Sequence, residues 1–438
     1  MKRNPYIYTM RNSLGEYVML NTYNSTMFKA SPEQSEMFEN AYETLSGEQH
    51  ILDLLEERNI IYDESKTAID GYEELYQEFI HNNQFLHLVI LPTENCNFRC
   101  IYCYEEHESK IMSQDVQDGI VNYVEQHIKD YQALRVEWFG GEPLCQKEII
   151  NNLSKRLKDI CKANKKPYYG SMTTNGYLLD PETFKVMHKK NGIMRYQITI
   201  DGLAESHNKQ RALSNGKPTF DTIIENLRNI RDNAKSSIVN IVIRCNVTED
   251  VLENFDDYVS FIQREFGEDD RFEVLWKIAW NPEEQTCQTY CGQETLHTIL
   301  GRHKDKVLKF GTNRRQFTRF GDICYASNKH SFVIGSDGRI YKCTVSFDKE
   351  INMVGHLQKN GEMILDEKKF KYWTERKACT DHELCQNCSI YPSCLGLYCG
   401  LNNVDSEGRF VCAGIKEYVD DYLEHISKVD DYYYKLEV

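Results

Sequence analysis

The 438-residue chain has no run of 18 apolar residues, and its N-terminus lacks the charged-then-apolar pattern of an export leader. Neither a membrane span nor a signal peptide is expected, and a cytoplasmic location is. Positive charge is scarce as well: 52 Lys and Arg against 67 Asp and Glu leave a formal net charge of −15 at pH 7. General nucleic-acid binding rests on clustered cations that neutralise phosphates, so this balance argues against it and favours a neutral or basic partner. What the chain does have is ordinary core material, 41% hydrophobic, over a length that allows two or three domains.

Sixteen cysteines are the exception. A reducing compartment argues against a disulfide framework, and the spacings are those of metal sites. Three of them, Cys96, Cys100 and Cys103, stand at C-x3-C-x2-C spacing directly after the apolar run Leu86 to Leu91. Such a loop brings its thiols to one point only by curling around something. A [4Fe–4S] cluster wants four thiolates, and three leave one iron open. A closed zinc site is the plainer alternative, although it normally shows two separated cysteine or histidine pairs.

This loop, with aromatic Tyr102 before its last cysteine, resembles the signature of the radical S-adenosylmethionine (SAM) superfamily. The resemblance implies that SAM chelates the open iron and is cleaved after one-electron reduction. The 5′-deoxyadenosyl radical then abstracts a hydrogen atom from substrate. It implies an external reductant too, a flavodoxin or ferredoxin.

From Leu86 to about Ala279, strand-like runs near 86–91, 134–139, 168–174, 195–200, 238–244 and 272–279 alternate with amphipathic helices. Six strand–helix repeats predict an α/β fold, a parallel sheet curled as a partial (β/α)6 barrel with its chemistry at the C-terminal strand ends. The motifs fall there. Gly140-Gly141-Glu142-Pro143 resembles the family's GGE motif, the glycines admitting a ligand to the backbone and Glu142 accepting from the SAM ammonium. Thr199-Ile-Asp-Gly-Leu203 with His207 and Arg211 resembles the S-x-D-G…H…R stretch, threonine replacing serine. By that resemblance Thr199 and Arg211 bind the SAM carboxylate. Asn175, Arg244 and Asn246 are further candidates for SAM or substrate, each equally able to satisfy local backbone.

Residues 5–29 read as a hairpin and 32–45, 49–60 and 69–80 as helices, a winged-helix-like pattern. Fourteen acidic residues against Arg58 and Lys66 between residues 30 and 80 would repel a phosphate backbone. Residues 1–82 instead resemble the leader-recognition domains of enzymes that modify ribosomally made peptides, in which a leader adds to a sheet edge; a simple cap on the barrel is the alternative. The barrel is assigned to 83–280 and a helical bridge with spare thiols Cys287 and Cys291 to 281–311.

Residues 312–438 carry the dense cysteines. A hairpin turning at Asp337-Gly338 leads to Cys343, and Cys385-x2-Cys388-x5-Cys394 follows. The pattern resembles the SPASM domain of peptide-modifying radical SAM enzymes, except that four residues, not three, separate Cys394 from Cys399. Carried over by position, Cys324, Cys343 and Cys399 would hold one auxiliary cluster and Cys385, Cys388, Cys394 and Cys412 the other. That makes three [4Fe–4S] clusters with the barrel's own. Cys379 is the residue that would close the first auxiliary cluster if its fourth position is not left open to a substrate thiol. A zinc ribbon through Cys385 and Cys388 is the plainer alternative. The implied activity is intramolecular cross-linking, specifically a Cys thioether, in a precursor peptide with a leader. A sulfatase-maturing enzyme is the nearest rival, and a non-catalytic iron–sulfur or zinc regulator is the rival of another class.

Overall fold

The computed structural model describes residues 1–63, 71–234, 238–279, 317–375, 382–397, 399–401, 412, 419–427 and 434–436. The expected bridge, with Cys287 and Cys291, and Cys379 lie outside the described residues. The chain forms two compact units. One comprises Met1–Asn82, Asn313–Asn328 and Trp373–Val438, the other Asn83–Thr312 and Lys329–Tyr372.

In the first unit a short pair, β1 (Lys2–Arg3) with β5 (Ile61–Tyr62), accompanies an antiparallel meander of β2 (Ile7–Arg11), β3 (Tyr17–Asn21) and β4 (Thr26–Ala30). Asparagine side chains set both turns. Asn12 Oδ1 accepts from the amides of Leu14 and Glu16, and Asn21 Oδ1 from those of Tyr23 and Asn24. The second turn adds β4, a strand that the two-stranded reading of 5–29 lacks. Helices α1 (Ser35–Thr44), α2 (Gln49–Glu57) and α3 (Tyr72–His81) fall on the three expected stretches. One face of the meander, with Tyr17, Met19 and Phe28, packs on Phe38, Ile51 and Leu55.

The second unit is built on six parallel strands in sequential order: β6 (Phe85–Ile90), β7 (Ala133–Trp138), β8 (Tyr168–Thr174), β9 (Ile193–Thr199), β10 (Asn240–Val247) and β11 (Phe272–Ile278). These are the six expected strands, each within about two residues at its start. Between them run α4 (Gln114–His127), α5 (Lys147–Ala163), α6 (Pro181–Lys185), α7 (Ala204–Gln210), α8 (Phe220–Asn233), α9 (Glu249–Glu253) and α10 (Phe255–Phe266). Their apolar stripes explain their placement. Ile149, Ile150, Leu153 and Leu157 of α5 are buried, as are Phe220, Ile223, Ile224, Leu227 and Ile230 of α8.

Beyond β6 the same sheet continues. β12 (Ser331–Ile334) pairs parallel with β6, and β13 (Arg339–Tyr341), β14 (Met353–Leu357) and β15 (Met363–Leu365) follow antiparallel. The Asp337-Gly338 hairpin is therefore β12–β13, with Gly338 at φ +84° and Asp337 accepting from the Arg339 amide. The cysteine-rich stretch expected to stand apart from residue 312 onward is shared: 329–372 extends the barrel sheet and the remainder belongs to the first unit.

The rest of the first unit closes on the meander's other face. There Val18, Leu20 and Met27 meet Ile390, Cys394 and the helix Val419–Ile426 through Val419, Leu423 and Ile426. A last strand, β16 (Tyr434–Leu436), lies parallel to β4 and completes a four-stranded sheet in the order β16-β4-β3-β2.

Gly119, inside α4, tests how tightly the second unit is packed. A Cβ there would stand 2.6 Å from the Gln358 carbonyl oxygen and 3.1 Å from the Leu357 side chain. Helix propensity alone favours alanine by about 1 kcal/mol, whereas the backbone contact imposes an overpacking cost of about 1–3 kcal/mol. Gly119→Ala should therefore lower the denaturation midpoint, and a raised midpoint would show that the strand edge yields.

Candidate active site

The loops after β6 to β10 meet at the C-terminal strand ends around one cavity. The cysteine loop is pinned by backbone bonds from Arg99 N to Ala212 O (3.0 Å) and Ile101 N to Gln210 O (3.1 Å), and by Thr93 Oγ1 donating to Lys110 O (2.7 Å). Cys96, Cys100 and Cys103 all line the cavity. Amide donors already approach one sulfur: Phe98 N lies 3.3 Å and Asn175 Nδ2 3.9 Å from Cys96 Sγ. Burial pushes all three thiols up, Cys103 to about 12. A bound cationic metal centre would favour their thiolate form.

Gly140 and Gly141 serve the loop itself. A Cβ on Gly140, which sits at φ +118°, would meet Thr93 O at 2.4 Å, and one on Gly141 would meet Asn95 O at 2.3 Å. Their close approach is thus to the cysteine loop, although both also line the cavity. Glu142 has no exposed surface. Its carboxylate accepts from Thr174 Oγ1 (2.7 Å), Asn175 N (2.7 Å) and Leu144 N (2.9 Å), while its own amide donates to Asn95 O (3.0 Å). The side chain expected to receive an ammonium is engaged as a brace between the ends of β7 and β8, and it lies behind the cavity wall.

Within the same loop, between Cys100 and Cys103, Tyr102 is the hub of a buried polar network. Its hydroxyl donates to Asp201 and accepts from Arg211 Nη1 (2.7 Å) and Asn246 Nδ2 (3.1 Å). Asp201, fully buried, also accepts from the Asn246 amide at 2.6 Å and faces the Arg211 guanidinium at 3.8 Å. Arg244 Nε donates to Asn246 Oδ1 at 2.8 Å. Burial raises the Asp201 carboxyl, opposed mainly by Arg211. Arg211 is only 7% exposed, and its Nε, buried, has no hydrogen-bond partner. Arg211 lines the cavity, and a guanidinium fork there suits a carboxylate ligand. Thr199, at the end of β9, and Asn175, after β8, complete the wall.

The sequence reading thus gathered Cys96, Cys100, Cys103, Tyr102, Gly140, Gly141, Asn175, Thr199, Arg211, Arg244 and Asn246 around one cavity. It omitted Asp201 as a side chain, noting only the strand-end dipeptide. It also omitted Glu105, whose carboxyl burial and the neighbouring Glu94 and Glu142 raise to about 8. The signal was at hand, a carboxylate two residues beyond the last loop cysteine.

In the first unit, Cys385 and Cys394 are buried and Cys388 partly so, in the adjoining apolar clusters. Burial, with the Cys388 and Cys385 thiols nearby, pushes Cys394 well up, and Gly396 N stands 3.4 Å from its sulfur. Cys324, Cys399 and Cys412 belong to the same unit and Cys343 to the other.

With this geometry in hand, residues 90–259 match the model of the Radical SAM superfamily. This segment is a radical SAM domain. Among solved structures, the chain resembles anSMEcpe with bound AdoMet and Cp18Cys peptide, at 18% identity and TM-score 0.59 over 78% of this chain and 97% of that one. It also resembles Streptococcus suis SuiB bound to precursor peptide SuiA, at 16% identity and TM-score 0.52 over 94% and 99%. Both likenesses are of fold: a mixed α/β architecture with a radical SAM partial barrel. GTP 3′,8-cyclase of Clostridium botulinum is 28% identical over 185 residues, 40% of this chain and 53% of that protein. The chain spans about half the length of the curated relatives it matches.

Gly141→Ala probes the loop without touching a thiol. With its Cβ against the Asn95 backbone, the substitution should cost about 1–3 kcal/mol of stability. It should also lower reconstituted iron by about four ions per chain, one cluster's worth. Unchanged iron content would show that the loop does not need this close passage.

Proposed function

We propose that this protein is a radical SAM enzyme that installs an intramolecular cross-link, a Cys thioether, in a ribosomally made precursor peptide. The observation that carries the reading is that three loop thiols and the Arg211 guanidinium line one cavity at the strand ends. When bound, the cluster and SAM supply the 5′-deoxyadenosyl radical.

The chain's own residues do the rest. Cys96, Cys100 and Cys103 hold the cluster. Arg211 and Thr199 bind the carboxylate of SAM, with Arg211 held in place by Tyr102 and Asp201. Asn175, Arg244 and Asn246 fill out the wall toward SAM or substrate, and the barrel excludes water from the radical.

Closing a thioether removes two hydrogen atoms from the peptide. One would leave carbon as a hydrogen atom and the other would leave sulfur as a proton with an electron to spare; an auxiliary cluster, which Cys324, Cys343 and Cys399 would hold, would supply the acceptor for that electron. Cys343, in the barrel's own unit, supports this use of the cysteine-rich region. Burial raises the phenol of the cavity-lining Tyr104, and Glu105, Cys103 and lastly Cys343 add to it. The remaining ligands are Cys324 and Cys399 for that cluster and Cys385, Cys388, Cys394 and Cys412 for the other. The peptides bound to two structural neighbours, anSMEcpe and SuiB, support a peptide substrate. The proposal includes leader recognition by residues 1–82, a flavodoxin or ferredoxin as reductant, and a cytoplasmic setting. Among the described residues no helix is long and apolar enough to cross a membrane.

Two outcomes test the reading. Replacing Cys96, Cys100 and Cys103 together by Ala should abolish 5′-deoxyadenosine formation while iron remains at the auxiliary sites; retained cleavage of SAM would refute it. Arg211→Lys keeps the charge and loses the fork, so SAM affinity should fall about 10–100-fold, the loss of about 1.4–2.8 kcal/mol. Equilibrium dialysis that finds unchanged affinity would remove Arg211 from the SAM site.

A further inference from the structure

The two faces of the central barrel strands differ. Toward the helices, Leu134, Val136 and Trp138 of β7, Met172 of β8, and Tyr196 and Ile198 of β9 are at most 1% exposed. Side chains alternate along a strand, so the residues between these turn to the barrel interior. Thr173 and Gln197 of that inner set line the cavity. One step further from the strand ends the set continues with Glu137, Ser171 and Arg195, neighbours in register across β7, β8 and β9. All three are polar, and each is half-buried or exposed. Beneath the cavity, then, the interior of these strands is polar and accessible where their helix side is dry.

Glu137 is the charged residue of this inner set with the fewest partners. A carboxylate can accept about four hydrogen bonds. Among the described residues Glu137 accepts one, at Oε1 from Thr173 Oγ1 at 3.3 Å, and its side chain is 33% exposed. The cations around it act elsewhere. Arg195 Nε donates to Asn240 Oδ1 at 3.1 Å, and its Nη2 stands 3.9 Å from Glu273. The Arg135 guanidinium lies over the Phe85 ring, 4.3 Å from its centroid. His87 Nε2 is 3.9 Å from Glu137 Oε2, but burial and the charges of Arg135 and Lys342 push that imidazole down to about 3, so it is neutral. Burial raises the Glu137 carboxyl, and Thr173, Arg195 and Arg135 oppose the rise. A carboxylate so placed, accessible from the interior and without a charged group in hydrogen-bond contact, gains most from a ligand that brings a cation.

We propose that Glu137 is a specificity residue that receives a cationic side chain of the peptide, a lysine ammonium or an arginine guanidinium, lowered into the barrel past Thr173. The inference rests on the reading of the protein as a peptide-modifying enzyme and adds to it the class of side chain that the barrel selects. Thr173 holds Oε1, which leaves Oε2 for the incoming donor. A side chain anchored at that depth fixes its own backbone above it, and so fixes which residue of the peptide stands at the strand ends.

The test uses the full, reconstituted protein and three small probes, n-butylammonium, n-butylguanidinium and 1-butanol, titrated by saturation-transfer NMR. The parent should bind at least one of the two cations about tenfold more tightly than the alcohol, the gain of a charge-assisted hydrogen bond. The better cation tells whether lysine or arginine is taken. Glu137→Gln, close in shape and still able to accept from Thr173, should bring that cation to the alcohol's level. Glu148→Gln, which removes the same charge from an exposed position on α5, should keep the preference and so accounts for the general pull of an acidic chain on cations. Equal binding of all three probes by the parent, no detectable binding of either cation, or a preference that survives Glu137→Gln would overturn the proposal. Loss of the preference on adding SAM would overturn it too, since the carboxylate would then serve SAM and not the peptide. Formation of 5′-deoxyadenosine without peptide is followed alongside. Its absence from every one of these proteins would remove the enzyme reading, while probe binding reports on the barrel interior alone.

Discussion

The buried ion pair of Asp201 and Arg211 is the contact on which the active-site architecture depends. A carboxylate with no exposed surface costs several kcal/mol to desolvate unless opposite charge and hydrogen bonds meet it. Here the guanidinium, the Tyr102 hydroxyl and the Asn246 amide all do. Each comes from a different part of the barrel: Tyr102 from the cysteine loop, Asn246 from β10, Arg211 from the end of α7. The pair therefore fixes the loop that holds the thiols against the strand ends that form the opposite wall. Glu142 does the same on the other side, with Thr174, Asn175 and Leu144 as its donors and its own amide on Asn95. Two buried carboxylates, neither of them facing the cavity as a bare charge, hold the cysteine loop from both ends.

Much of this was legible in the residues. Parallel strands buried on both faces are continuous apolar runs, and the helices between them carry stripes at helical spacing, so six strand–helix repeats stood out. Once the strands were placed, the motifs fell at their C-terminal ends without further assumption. What stayed hidden was pairing at long range. Nothing local in Ser331–Ile334 says that it will lie against β6, some 240 residues earlier, and nothing in Tyr434–Leu436 names β4 as its partner. β4 itself was missed because the turn before it is made by an Asn21 side chain and not by a Gly or Pro signal. The bracing of Glu142 was hidden for the same reason: its three donors lie two to about thirty residues away, and only the fold brings them to its carboxylate.

The division of the cysteines follows from the fold in the same way. The hairpin that carries Cys343 is part of the barrel sheet, and buried Asn352 holds it there by accepting from the Cys343 amide and donating to the Cys343 carbonyl. Cys385, Cys388 and Cys394 sit between the apolar clusters of the other unit, one of which includes Leu75, Tyr76 and Phe79 of α3. The N-terminal meander and helices thus share a core with the cysteine-rich loop nearest the end of the chain. These segments, far apart in sequence, belong to one compact unit.

The central claim is that the loop thiols hold a cluster whose open iron is met by SAM on the Arg211 wall. The most direct measurement is the electron paramagnetic resonance spectrum of the reduced, reconstituted protein with the auxiliary cysteines Cys324, Cys343, Cys385, Cys388 and Cys394 replaced by Ala, taken before and after adding SAM. The account predicts a reduced four-iron signal that SAM shifts, and a shift that Arg211→Lys weakens. A signal indifferent to SAM in the parent site would contradict it.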